Sequence, residues 1–469
     1  MIRLDIEPTP EVVKKLIDKH DTSRYEMLQR YYEGENDEIR NRVKKDLSKP
    51  NNKIINGYPS YIIDVIQGYF IGKPVTYSSM DEKLMKELQD IFNYNDEQDE
   101  NSELAKMAGI KGKAYEIVYI DEDAYLRFNE MDADNIIMVH DTKINPDVNF
   151  AIRYFKSKNL ITNKDELYAE VYTKENIQYY KEENNNLVLQ DIQEHYFGQV
   201  PVIEFLNNDE AIGDFERVIS LIDAYDKAQS DTANDFEEFT DAFLCLVNMS
   251  ATDEEDIKKL KEDKVLLIDK EGQAYWLIKE INDSAVENYK DRLKNDIHKF
   301  SKTPDMSDVN FSSNASGVAM AYKLLALEQV MATKERKFKR ALQRRLELIV
   351  TYLNFKGGNY DWRDVDITFA RNKPINVKEE VETAQMLRGF TSNSTALSQL
   401  PMIDDVSMEL EKIESEKDPY HEDLDSIDID NEDNIYNNSS EMMKILNFIA
   451  KLPEKDRDIA KDILAGEKQ

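Results

Sequence analysis

The sequence predicts an α+β protein, and three observations predict it. Apolar residues recur at helical spacing through residues 1–94, alternate with period two from Tyr115 to Phe205, and return to helical spacing after Gly213. At 469 residues the chain suits about three domains or one elaborate subunit. With 41% hydrophobic and 33% charged residues it can bury a core and is not disordered as a whole.

The elements follow in order. A first helix covers residues 11–20, with Val12, Val13, Leu16 and Ile17 on one face. Thr22 and Ser23 offer caps for a second, which carries Tyr25, Met27, Leu28, Tyr31 and Tyr32. After Pro50, Pro59 suits the first turn of a helix bearing Ile62, Ile63, Ile66 and Phe70, which Gly72 and Pro74 stop. Val75 to Tyr77 is extended, and residues 81–94 form a helix on Leu84, Leu88, Ile91 and Phe92. The period-two stretch is rich in tyrosine and β-branched residues, with hairpin turns at 121–123 and 183–186. It reads as an antiparallel meander or a pair of small sheets.

No Gly or Pro interrupts residues 214–250, which predicts an unbroken helix of ~50 Å. Nine acids lie between 214 and 241 against Arg217 and Lys227, and Asp223, Ser230, Asn234, Glu237 and Asp241 share one polar face. Residues 249–283 read as a small α/β insert, with a helix at 254–261 and strands at 264–269 and 274–281 flanking a turn at Gly272. A helix carrying Val286, Tyr289, Leu293, Ile297 and Phe300 ends at Thr303-Pro304. Residues 305–317 are a polar loop, and a long helix runs from Val318 to about Phe355. Residues 364–376 read as a strand and turn. The remainder is helical and acidic, with a linker at 417–438 and two short helices around Pro453.

Composition excludes several functions. Acids outnumber bases by 94 to 61, a net charge of −33, which argues against gripping nucleic acid by its phosphates and against docking on anionic lipid. The lone Cys245 excludes an internal disulfide framework and a multi-cysteine metal site, and reads as a small buried hydrophobe. The charged N-terminus is no signal peptide, and no apolar stretch approaches the ~20 residues that span a bilayer. A reducing, intracellular setting is expected.

Motifs for catalysis are missing. The five histidines are scattered with no pair at ligand spacing, and neither a nucleophile elbow nor a glycine-rich phosphate loop occurs. Ile71-Gly72-Lys73-Pro74 lacks the flanking residues of a phosphate loop and ends a helix instead of opening one. Acidic clusters are able in principle to hold divalent metal, but in a chain this rich in carboxylates a solvated acidic face is the simpler reading. Residues 334–345 hold seven bases and one acid, interleaved with Phe338 and Leu342 and continued by Leu346 and Ile349. This is an amphipathic helix whose basic face pairs with acidic neighbours, among them those of another copy. No metal and no cofactor is implied. The residues themselves lead to a self-assembling, structural protein.

Four segments go further. NKIINGYPSYIIDVIQGYFIGKPVTY (52–77), GDFERVISLIDAYDKAQSDTANDFEEFTDAFLCL (213–246), residues 295–349 and residues 366–405 together resemble the portal proteins of tailed double-stranded-DNA bacteriophages of the siphovirus type. The resemblance implies a portal-type fold: a β-rich wing (1–213), a first stem helix (214–248), an α/β clip (249–283), a second stem helix (284–303), a tunnel loop and helix (304–339), a wing return (340–376) and a helical crown (377–469). It implies a ring of about twelve subunits at one capsid vertex, present in the host cytoplasm during assembly, through which DNA is packaged and ejected without sequence specificity. The implied partners are the terminase large subunit, a head-completion or adaptor protein, and scaffolding and major capsid proteins; no membrane is involved. Asp223, Glu237 and Asp241 would form the acidic channel or stem face, and Asn310, Phe311, Ser312, Ser313 and Asn314 the DNA-facing loop. Lys337, Arg340, Arg344 and Arg345 would pair with a neighbouring subunit, and Lys258, Lys261, Lys264 and Lys270 would meet terminase or adaptor at the clip. A metal-dependent nuclease or phosphoesterase and an acidic helical scaffolding protein are the alternatives.

Overall fold

A computed structural model describes residues 2–44, 49–160, 163–239, 243–247, 273–277, 283–307, 317–372, 377–387, 389–398, 400, 403 and 406–416. The chain divides into two compact units, Met1–Pro374 and Ile375–Gln469. The expected helix at 254–261, strand at 264–269, linker at 417–438 and tail helices lie outside the described residues.

The first unit opens with a short strand, β1 (Ile2–Arg3), followed by α1 (Pro10–Asp18), which starts on proline and buries Val13 and Ile17. In α2 (Ser23–Tyr32) the buried residues are Leu28 and Tyr31; Asn36 caps the single turn α3 (Asp37–Arg40) by accepting from the N–H groups of Glu38 and Ile39. α4 (Tyr58–Ile71) buries Pro59, Ile62, Ile63, Ile66, Tyr69, Phe70 and Ile71 in the main core and leaves Asp64 and Gly68 exposed on its other side. β2 (Thr76–Ser78) leads to α5 (Glu82–Tyr94), capped by Asp81, and to α6 (Glu97–Lys111). The sequence reading has no counterpart for α6. Glu97, Asn101 and Lys111 are buried beside Leu104, Ala105, Ala108 and Ile110, so polar residues interrupt the apolar stripe that announces a helix. Gly112, at φ +86°, ends α6 where a Cβ would strike the Ala211 backbone.

The period-two region is a pair of sheets. Its strands are β3 (Lys113–Ile120), β4 (Leu126–Met131), β5 (Ile136–His140), β6 (Val148–Asn159), β7 (Lys164–Tyr172), β8 (Asn176–Glu183), β9 (Asn186–Glu194) and β10 (Val202–Leu206). One sheet runs β1-β5-β6-β7-β8-β9, antiparallel except for the parallel β1–β5 pair. The other runs β10-β3-β4. The β8–β9 hairpin turns on Asn184 and Asn185, both at positive φ, the backbone a two-residue hairpin requires.

Beyond residue 213 the expected unbroken helix is corrected. α7 (Ile219–Phe239), about 32 Å long at 1.5 Å per residue, gives way to a strand, β11 (Phe243–Val247). Phe-Leu-Cys-Leu-Val has no polar residue to form a solvent face for a helix, and its backbone pairs antiparallel with β12 (Gln273–Leu277). The expected partner for residues 274–277 was 264–269; the partner found is β11. α8 (Asp283–Ser301) then packs back along α7, so the chain leaves the body on one helix, crosses a two-stranded sheet and returns on the other.

α9 (Gly317–Phe355) is one continuous helix of about 58 Å. It buries Leu327, Met331, Phe338, Leu342, Leu346 and Ile349 in the main core, where Phe338 meets Phe70 of α4 edge-on at 5.6 Å and Phe205 of β10 at 4.9 Å. β13 (Asp366–Thr368) closes the unit by pairing with β2. The second unit contains α10 (Val377–Leu387), α11 (Asn393–Leu397), capped by Ser392, and α12 (Val406–Glu416).

Candidate functional site

The acidic face of α7 is largely committed within its own subunit. Residues 52–56 run extended beside the helix, and every second residue donates its N–H to a side chain four residues further back along it. Asn52 N reaches Asn234 Oδ1 at 2.7 Å, Ile54 N reaches Ser230 Oγ at 2.9 Å, and Asn56 N reaches Asp226 Oδ1 at 3.0 Å. The match is geometric: two extended residues advance about 6.6 Å and four helical residues about 6 Å. Asp226 also accepts from Asn56 Nδ2 at 2.7 Å and Asn36 Nδ2 at 2.9 Å, and is fully buried with Ser230. Burial pushes its carboxyl above the ordinary range, and the Asn56 and Asn36 donors pull back against it.

Asp223 accepts from the Tyr31 hydroxyl at 2.9 Å, and burial raises its pKa. It therefore faces α2 of its own subunit. Glu237 is exposed and accepts from Asn52 Nδ2 at 2.7 Å. Arg42 ties Asp231 to the same side of the body.

The basic run on α9 is corrected in the same sense. Arg345 is 1% exposed within a single chain. Its guanidinium grips Glu116 of β3 through Nε (2.9 Å) and Nη2 (2.5 Å), and its Nη1 donates to Asn101 (2.8 Å) and Glu97 (3.1 Å) of α6. Phe128 lies under the guanidinium at 4.5 Å. Burial opposes this charge, but Glu116 and Glu97 more than offset it and hold Arg345 protonated. Lys334 makes a second buried pair, with Asp214 at 2.5 Å. Lys337 pairs with Asp209, and Arg344 with Glu347 at 2.7 Å. The inter-subunit role is therefore withdrawn for Arg345, and Lys337 and Arg344 already have partners at home. Arg340 is exposed, with no ion pair among the described residues. The apolar spacing held the signal: position 345 lies seven after Phe338, three after Leu342 and four before Ile349, on the buried face.

The root of the loop between α8 and α9 is ordered by aromatic contacts. His298 sits edge-on to Tyr58 at 6.0 Å and Tyr61 at 5.7 Å, and Tyr58 meets Tyr225 of α7 at 5.1 Å. Asp305 pairs with Lys294 at 2.7 Å. Burial works against its ionisation, yet Lys294 and the Ser307 donors lower it to about 2. Asp241, the loop residues Asn310, Phe311, Ser312, Ser313 and Asn314, and the clip lysines Lys258, Lys261, Lys264 and Lys270 lie outside the described residues. Among the described residues no group of three or more His, Cys, Asp and Glu side chains is arranged to hold a metal, and no helix is long and apolar enough to cross a membrane.

Two sheets and an out-and-back helix pair that feeds one long core helix make up the fold of the first unit. The fold aligns with a chain from the neck of an empty GTA particle at TM-score 0.50 and 10% identity, over 84% of this chain and 99% of that one. Residues 13–423 match the family described as "Phage portal protein, SPP1 Gp6-like", and the chain belongs to that family. The portal protein of Bacillus phage SPP1 is 27% identical over 446 residues, covering 89% of this chain and 88% of the relative. That of Clostridium phage phiCD119 is 26% identical over 434 residues, covering 86% and 95%. The resemblance seen in the sequence is thus borne out, and it favours neither the nuclease nor the scaffolding alternative.

Proposed function

We propose that about twelve copies of this portal protein close into a ring at one capsid vertex, through whose bore double-stranded DNA is packaged and ejected. The observation that carries the proposal is a set of large apolar side chains left exposed on the stem helices and the start of α9: Phe236, Tyr289, Phe300, Tyr322 and Leu325. Side chains of this size on otherwise polar helices call for cover. In a ring of heterologous contacts each copy covers the next, with Arg340 free to meet the neighbour's acids.

A bore for DNA works best without a grip on phosphate. Bases would release counterions and hold the duplex, whereas carboxylates let it slide. Glu237 and Asp241 are the acids of the first stem helix region assigned here to the lumen, and Asn310, Phe311, Ser312, Ser313 and Asn314 approach the duplex. The clip lysines meet the terminase large subunit and later a head-completion adaptor, and scaffolding and major capsid proteins surround the ring. The chain is structural, and ATP hydrolysis belongs to the terminase. Reversing Glu237 and Asp241 to lysine slows packaging in rings that still assemble; an unchanged rate contradicts the lumen assignment.

A further inference from the structure

We infer that Tyr61 of α4 is a positioning residue for the α8–α9 loop; the inference rests on reading that loop as the DNA-facing one. The Tyr61 hydroxyl accepts from the Met306 N–H at 2.8 Å and donates to the Pro304 carbonyl oxygen at 3.0 Å. These two backbone groups flank Asp305, and only a hydroxyl both donates and accepts at one atom among such short contacts. Asp305 is held from the other side by Lys294 Nζ at 2.7 Å, and it turns the chain by accepting from Ser307 N at 3.0 Å and Ser307 Oγ at 2.6 Å. His298 Nδ1 lies 3.1 Å from the Thr303 carbonyl oxygen, and the ring stands edge-on to Tyr61. Residues 303–306 are thus pinned at consecutive points between α4, deep in the core, and α8.

The consequence concerns where the loop starts. Without Tyr61 the chain entering the loop would be located by the stem helix alone, and would follow each movement of that helix. With it, the start of the loop is fixed to the subunit body. A phenylalanine at 61 keeps the ring packing against His298 and removes both hydrogen bonds. α4 supplies an internal control, because the Tyr69 hydroxyl donates to Glu328 of α9 at 2.6 Å, away from the loop. Tyr69→Phe costs α4 a hydrogen bond without touching residues 303–306.

The test compares rings of Tyr61→Phe, Tyr69→Phe and Phe311→Ala with the unaltered protein, in a packaging reaction driven by proheads and the ATP-consuming motor. Amide exchange at Met306 is followed in the same rings. Tyr61→Phe is expected to exchange Met306 about tenfold faster, as loss of one to two hydrogen bonds implies, and to package several-fold more slowly, with Tyr69→Phe unchanged in both. Tyr61→Phe rings packaging normally while Phe311→Ala slows them overturn the positioning role and leave the loop assignment standing. Phe311→Ala rings packaging at the full rate overturn the loop assignment, and this inference with it. Equal slowing by Tyr61→Phe and Tyr69→Phe assigns the effect to α4 stability and also overturns it. Asp305→Asn, which weakens the Lys294 tie and spares the Tyr61 hydroxyl, is the second variant if Tyr61→Phe does not assemble, and the same slowing is expected of it.

Discussion

Asp226 on α7 and Asn56 before α4 stand 170 residues apart and are joined by two hydrogen bonds, at 3.0 and 2.7 Å. With Asn36 on its second oxygen, Asp226 clasps α7 to the segments before α3 and α4 inside one subunit. Asp226→Ala leaves the Asn56 and Asn36 donors buried without an acceptor, and costs about 2–3 kcal/mol. Urea unfolding of the subunit measures it, and Asp226→Asn, which retains one acceptor oxygen, costs less.

Arg345 separates subunit stability from ring assembly. Arg345→Met strands Glu116 in the core and destabilises the subunit by about 3–5 kcal/mol. Adding Glu116→Gln recovers part of that loss, because the two side chains are one network. Arg340→Ala stays within about 0.5 kcal/mol in subunit unfolding and instead weakens the ring. Unfolding curves and the mass of the assembly read the two effects apart.

Glu100 introduces a pH dependence. Burial and the neighbouring Glu130 carboxyl push its pKa from the ordinary 4.5 up to about 8. Between those values the folded chain holds a proton that the unfolded chain has released. The contribution is therefore fully present below 4.5 and lost as pH rises through about 8. Glu100→Gln should melt like the unaltered protein at pH 5 and above it at pH 8.5, by about 1 kcal/mol once screening at this half-exposed site is allowed for.

The strand that follows α7 is open to a chemical test. Cys245 lies opposite Tyr275 in the β11–β12 register. Facing residues of antiparallel strands have Cα atoms about 4.5–5.5 Å apart, within the reach of a disulfide. Mild oxidation of Tyr275→Cys should give an internal crosslink, seen as faster migration on a non-reducing gel. A helix continuing through residue 247 would give none.

The sequence made much of this fold legible, and the failures have physical causes. The two Pro-initiated helices, the alternating sheets and the long α9 follow from spacing and caps. α6 shows no continuous apolar stripe because its buried face carries Glu97 and Asn101, the residues that receive Arg345. Neither Gly nor Pro marks the end of α7; what ends it is strand pairing with residues about 30 positions later in the chain. Ser230 and Asn234 do lie on a polar face, as their spacing says. Periodicity identifies such a face but not whether water, DNA or the chain's own backbone lies against it, and here the backbone of 52–56 does.

Native mass spectrometry of the purified chain tests the ring most directly. A single dominant species near twelve times the 54.7 kDa subunit mass is expected. A chain that stays monomeric under conditions that support capsid assembly contradicts the account.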